Sequence, residues 1–399
     1  MLFLTYWFVI FMAAAFPLYW AVRHPYARLV VLLAACAVFH THFAGPAGVL
    51  PIVVLAVMTY LAGLSRRRLL CRGGICLSVA ALVFYKYFKF LCTEVVGAAA
   101  PSWKAALLAH PALTPSAPPL AISFFVFEFV HYLADVARGY PAVRNPLKFA
   151  LYAIFWPSIV AGPVKRYQDF LPALQRGVRH VEAHDVALGL TRVALGLVKK
   201  FAADTLTAWI AFWGPHFHTF DALWRWGFVA ALGLRILWDF SGYSDMAIGF
   251  ARMHGVVLPE NFNWPYLATN ITDFWRRWHI SLSTWIRDYV YIALGGSRCG
   301  LARKVANGLL AFGICGLWHG AGWNFLAWGL YHGAGLAVCS NYRKLLGPVG
   351  RAVGDRLDRH APVAWGLTML YAGVGWVFFF YPLPQATDMI RLLFRVGTP

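Results

Sequence analysis

The chain reads as a series of long apolar runs, near positions 2–22, 28–43, 47–64, 75–93, 117–137, 147–163, 186–213, 222–250, 305–318, 322–340 and 362–381. A helix needs about 20 apolar residues to cross a bilayer, and several of these runs fall short of that. The pattern predicts an all-α polytopic membrane protein with about ten or eleven membrane helices, some of them re-entrant, interfacial or tilted. Composition points the same way: 60% of residues are hydrophobic and 13% charged, against roughly 25% charged in a soluble domain.

The loops between runs predict an orientation. The opening "MLFLTYWFVIFMAAAFPLYW" has no basic residue before Arg23, which predicts a retained first span rather than a cleavable signal peptide. "RHPYAR", "SRRRLLCR" (65–72) and "RGYPAVRNPLK" (138–148) are rich in Lys and Arg, whereas "FAGPAG" and the stretch 94–119 hold one lysine between them. Basic loops stay cytoplasmic, so the N-terminus is expected on the extracytoplasmic side of a bacterial inner membrane. The formal net charge of +19 sits in short interhelical loops, where it suits anionic lipid and argues against nucleic acid.

Seven cysteines, at 36, 71, 76, 92, 299, 315 and 339, lack the paired spacings of a metal site and are expected to be small buried hydrophobes. No internal repeat is evident, and "AAAPSWKAALLAHPALTPSAPP" (98–119) is expected to be an extracytoplasmic loop. The chain is expected to form one domain over 1–399, with a core motif region at 235–340. The first five or six spans look like scaffold. From about Ser158 onward charge stands inside or beside the apolar runs, which is where function is expected, since ionisable groups at membrane depth need partners or a function.

Residues 273–292, "DFWRRWHISLSTWIRDYVYI", carry the densest charge. At 100° per residue Trp275, Trp278, Leu282, Trp285, Tyr289 and Ile292 share a face, and Arg276, Ser283 and Arg287 share another, so an amphipathic helix is predicted. It is too charged to cross lipid and belongs at the interface or around a wet cavity. Asp273 and Arg277, four apart, can pair. His279 lies between the two faces, where a lone histidine is most simply a hydrogen-bonded structural group.

Between Lys304 and Arg343 there is no Asp, Glu, Lys or Arg, and His319 and His332 are the groups that titrate near neutrality. Apolar surroundings penalise an imidazolium, so His319 is expected to stay neutral and able to accept a proton. The "GAG" that follows lets backbone or substrate approach closely. Read alone, either histidine is more simply a hydrogen-bond partner for a neighbouring helix's backbone, His332 above all.

Three blocks carry a family resemblance: "FSGYSDMAIG" (240–249), "LPENFNWPYLATNITDFWRRWHISLSTWIRDYVYIALGG" (258–296) and "GLWHGAGWNFLAWGLYHG" (316–333). They resemble the bacterial membrane-bound O-acyltransferase (MBOAT) family, in its polysaccharide O-acetylase branch typified by the alginate acetylation membrane subunit. Weaker echoes are "ISFFVFEFVHYLADVARG" (122–139), "AGPVKRYQDF" (161–170) and "LGLVKKFAADTL" (195–206).

The resemblance implies tilted helices around a central funnel, with re-entrant or interfacial helices in its wall. It also implies transfer of an acetyl group from a cytoplasmic thioester, acetyl-CoA or another acyl carrier, to hydroxyls of an extracytoplasmic polysaccharide. Transfer would be direct or through a periplasmic or membrane-anchored acetyltransferase partner. The family's catalytic histidine corresponds to His319, and its second polar position to His279, which would orient the acceptor or steady the oxyanion. Arg276 and Arg277 would brace the helix or meet the donor.

Lys199, Lys200, Lys165 and Arg166 could meet donor phosphates, though as flanks of apolar runs they suit snorkelling anchors better. Asp239 and Asp245 are expected to partner Arg235 or the central arginines. No metal and no bound cofactor is implied, since a thioester is already activated. The sequence stops at Pro399, where alginate-type members commonly continue, which weakens the expectation of partner docking. D-alanyl transfer to teichoic-acid-like acceptors and a non-enzymatic export or scaffold subunit are the competing readings.

Overall fold

The computed structural model describes residues 2–110 and 118–395. Every regular element among them is helical. The chain groups into two compact units, Met1–Ala194 with Met246–Pro259 and Leu195–Asp245 with Glu260–Pro399.

In the first unit the apolar runs become the helices Tyr6–Ala21, Pro25–Ser65, Arg68–Leu82, Ile122–Ala137 and Pro146–Ile154. Thr5 caps the first of these by accepting from the Phe8 amide at 3.2 Å, which supplies one of the orphan donors of a helix start. The runs 28–43 and 47–64 are not separated by a loop. "FAGPAG" is a kink, where only Gly45 leaves helical geometry (φ 66°, ψ 167°). Pro46 follows, and a residue before proline is driven out of the helical region; glycine meets that demand at positive φ without a Cβ penalty.

Val30, Val38, Val53, Val57 and Leu61 of this helix are exposed. A continuous apolar face of that length is a liability in water and what lipid requires. Pro25–Ser65, Arg68–Ala99 and Ala361–Phe380 are long and apolar enough to cross a membrane, and Tyr6–Ala21 is a shorter apolar helix.

Two expectations for this part of the chain are corrected. The stretch 94–119 is not simply a loop, because Pro101–Ala109 is helical; residues 111–117 lie outside those described. The scaffold is also not free of polar groups. Glu128, His131 and Asp135 lie buried along one face of Ile122–Ala137. Lys165, expected as a snorkelling anchor or phosphate contact, is fully buried against Glu128, with Tyr152 and Phe170 rings 5.4 and 5.6 Å from its ammonium. His131 sits 3.2 Å from both Gln168 Oε1 and the Tyr152 hydroxyl, and Gln168 Nε2 donates to Asp135 at 2.6 Å. Charges this deep are tolerated because each one meets an opposite charge or a dipole.

The cysteines divide. Cys36, Cys71, Cys92 and Cys315 are buried as expected, whereas Cys76 is exposed and Cys299 and Cys339 are half-buried.

In the second unit Lys199 pairs with Asp245 at 2.5 Å, and Lys200 pairs with Asp204 and, at 2.7 Å, with Asp239. The two aspartates therefore do not serve Arg235, which donates to Thr207 Oγ1 at 3.1 Å and lies over the Phe380 ring. The lysines and Asp204 come from Ala183–Trp213, and Asp239 and Asp245 from Ala222–Met253. Charges inside two adjacent apolar helices thus neutralise one another across the helix pair.

The helices Leu301–His319 and Trp323–Leu345 pack at backbone contact. A Cβ on Gly316 would collide with the Phe325 carbonyl, and one on Gly329 with the Phe312 carbonyl. Small residues facing each other in this way let two membrane helices approach closely enough for dispersion to hold them. The tight turn between these helices fixes where His319 sits.

Candidate active site

Residues 271–292 do not form the single amphipathic helix expected from their periodicity. Ile271–Arg277 is helical, capped by Asn270, whose Oδ1 accepts from the Asp273 amide at 2.8 Å. The helix then stops. Trp278 is extended (φ −96°, ψ 128°), and His279 is in the left-handed region (φ 42°, ψ 55°). Ile280–Ile286 is a second short helix, followed by a π-helical turn over Arg287–Tyr291.

The break is imposed by the segment that precedes it in the chain. The segment ahead of it takes over the backbone groups a continuing helix would have used: Asn263 N donates to the Arg277 carbonyl and Ile280 N to the Asn261 carbonyl, both at 2.9 Å. A non-glycine residue at positive φ costs on the order of 1 kcal/mol, and such sites persist only where the surroundings over-determine them.

The surroundings of His279 meet that condition. Its ring is buried, edge-on to Phe240 at 4.5 Å and 6.2 Å from the indole of Trp318. Nδ1 lies 3.3 Å from Asn261 Oδ1, which also accepts from the Ser281 hydroxyl at 2.6 Å and the Ser281 amide at 3.4 Å. Asn261 Nδ2 donates to Ser244 Oγ at 3.1 Å. The other ring nitrogen, Nε2, is buried without a hydrogen-bond partner.

His319 is the last residue of its helix, and Gly320 after it is extended. The imidazole is half-buried among Trp318, Trp328 and Phe379, with ring centroids 4.7, 5.0 and 5.2 Å away. His279 and His319, 40 positions apart, thus both contact the Trp318 ring.

His332 is different. It is fully buried among Trp275, Trp328, Trp376 and Tyr371, and neither ring nitrogen has a hydrogen-bond partner. It does not bond a neighbouring helix's backbone as expected, because its walls are aromatic faces and edges.

Beside the histidines lies a cavity of about 600 Å³. Its buried part is made by Trp275, Ala311 and Cys315, and its exposed part carries Arg276 and Arg287, with Lys304 between. Cys315 is one helical turn before His319, and Ile280, also in the wall, follows His279 directly. Lys304 is held by Asn341 at 2.8 Å. Arg277 is turned to other work: it pairs with Asp273 at 2.8 Å, as its spacing predicted, and reaches the Asn263 carbonyl at 3.3 Å.

Of the cation candidates, then, Arg276 lines the cavity, Arg277 braces the helix break, and Lys199 and Lys200 are engaged by carboxylates. Asn261 and Trp318 were not singled out in the sequence. The available signal for Asn261 was an asparagine in "LPENFNWP", a stretch between prolines with no helical period.

Apolar helices of bilayer length and a histidine pair set in aromatic rings place the chain among polytopic membrane proteins with a buried polar site. It belongs to the membrane-bound O-acyltransferase (MBOAT) family, whose model matches residues 110–349. It is 39% identical over 316 residues to the "Probable alginate O-acetylase AlgI" of Pseudomonas putida, covering 77% of this chain and 60% of that protein. It is 34% identical over 338 residues to the peptidoglycan O-acetyltransferase of Helicobacter pylori, with the same coverage. Similarity extends to the teichoic acid D-alanyltransferase of Bacillus subtilis, 31% identical over 251 residues, 59% of this chain and 63% of that one. The chain spans about half to three fifths of the length of the alginate O-acetylases it matches.

Proposed function

We propose that the chain is an O-acyltransferase that moves an acetyl group from a cytoplasmic thioester to a hydroxyl of an extracytoplasmic polysaccharide. The observation that carries this reading is His319: a half-open imidazole in an aromatic surround, one turn from the wall of a cavity with an apolar interior and cations at its exposed side. A sugar hydroxyl is a poor nucleophile and needs a base within hydrogen-bond reach. His319 takes the hydroxyl proton as the oxygen attacks the thioester carbonyl. The C–S bond then breaks, and the thiolate recovers that proton from the imidazolium, leaving an acetyl ester and a free thiol.

The cavity suits the donor. Acetyl-CoA and a carrier-bound thioester share a pantetheine arm, amide-bearing but uncharged, that ends in phosphate, which matches uncharged walls near the histidines and Arg276, Arg287 and Lys304 toward the outside. His279 contacts the same Trp318 indole as His319. It either orients the acceptor hydroxyl or donates to the oxyanion, and the two roles require opposite tautomers.

The acetyl reading is supported over D-alanyl transfer by the higher identity to relatives named O-acetylases. The basic loops at 65–72 and 138–148 support a bacterial inner membrane location with the N-terminus outside, and a periplasmic partner would complete transfer to polymer. The test is reconstitution in liposomes with labelled acetyl-CoA on one side and an alginate or peptidoglycan fragment on the other. Ester label on the glycan is expected. Label transferred only from D-alanyl carrier protein, or no label under any donor, would overturn the proposal.

A further inference from the structure

Asn261 bonds one nitrogen of His279 and leaves the other without a partner, and its own orientation is fixed by its neighbours. An amide side chain can be turned either way, but Oδ1 faces the Ser281 backbone N–H at 3.4 Å and the Ser281 hydroxyl at 2.6 Å. A backbone N–H can only donate, so this atom must be the oxygen. Ser244 Oγ, 3.1 Å from Nδ2, accepts on the opposite side. An oxygen cannot donate, and therefore the His279 nitrogen facing it, Nδ1, carries the proton. In a neutral imidazole the lone pair then falls on Nε2, the buried nitrogen that has no partner.

From this geometry we infer that Asn261 is a positioning residue that locks His279 in its Nδ1–H tautomer, so that His279 presents a hydrogen-bond acceptor to the reacting groups. The inference rests on the acyl-transfer reading for its consequence, though not for its geometry. An acceptor at Nε2 holds a hydroxyl, which arrives as a donor; it cannot stabilise an oxyanion, which needs an N–H. His279 thus orients the sugar hydroxyl, and the oxyanion is served elsewhere. The left-handed backbone at His279 fits the same purpose, because it turns the side chain out of the helix path and onto Asn261.

The test is nitrogen NMR of the full chain labelled with ¹⁵N-histidine in nanodiscs, with the His279 signals assigned by their loss in His279→Gln. The expected spectrum shows a protonated Nδ1 and an unprotonated Nε2. Asn261→Leu should abolish that preference and lower kcat for acetyl transfer about 10- to 100-fold with little change in donor KM. Asn261→Asp keeps an acceptor on Nδ1. It should retain the tautomer and most of the activity while moving the acid limb of the pH–rate profile to higher pH, since an added carboxylate favours the imidazolium.

A wild-type ring protonated at Nε2, or at both nitrogens, would overturn the inference, as would an unchanged tautomer in Asn261→Leu. The wild-type spectrum decides the point even if that variant fails to fold. Failure to see acetyl transfer with the expected tautomer present would sink the proposed function and leave this assignment standing.

Discussion

The Trp318 indole touches both candidate histidines, with ring centroids 6.2 Å from His279 and 4.7 Å from His319. One histidine is set by a backbone break and an asparagine, the other by the end of a helix that packs at glycine contact. The site therefore depends on two separate pieces of local architecture, and each can be perturbed alone.

The glycine contact is the first. Gly316→Val would drive methyl groups into the Phe325 carbonyl and force Leu301–His319 away from Trp323–Leu345. The expected cost is about 1–3 kcal/mol or more, the range of overpacking. Thermal unfolding in detergent should show a lowered midpoint, and acyl transfer should fall with it because His319 moves. A variant with wild-type stability and activity would mean that the helices are not held by that contact.

The buried pair in the first unit gives a second prediction. Lys165→Met leaves Glu128 buried without a counter-charge and should cost about 3–5 kcal/mol. Glu128→Leu added to Lys165→Met removes the orphan and should recover most of that loss. Equal stability of the single and double variants would show that the two residues do not depend on each other.

A third concerns the cavity. Arg287→Ala should raise the donor's KM while leaving kcat close to wild type, because Arg287 is an exposed residue of the cavity lining, paired with Asp288 at 2.7 Å, and the proposed chemistry runs at His319. Raising salt should weaken donor binding less in the variant than in the wild type. A fall in kcat at unchanged KM would place Arg287 in the chemical step instead.

The sequence made much of this legible, and the exceptions have physical reasons. Apolar runs were converted into helices almost one for one, since bilayer-length hydrophobicity is a local property. The break at His279 was hidden because projection at 100° per residue assumes the helix continues. What ends it is backbone hydrogen bonding of Ile280 to Asn261 and of Asn263 to Arg277, contacts across 19 and 14 positions that no local period reveals.

The same holds for Lys165 with Glu128 and for Lys199 and Lys200 with their aspartates. Each lysine was visible as a charge beside apolar residues, but its partner lay on another helix. His319 and His279 were found through the resemblance of their motifs. Asn261 lies inside the stretch "LPENFNWP", and only the fold brings its oxygen against both a backbone amide and an imidazole.

The most direct test of the whole account is the rate of acetyl transfer by His319→Ala in liposomes supplied with labelled acetyl-CoA, beside wild type. The account predicts a loss of about 10²- to 10⁴-fold in kcat, the contribution of a positioned base, with insertion, yield and unfolding midpoint unchanged. Transfer persisting at the wild-type rate in a folded variant would contradict it.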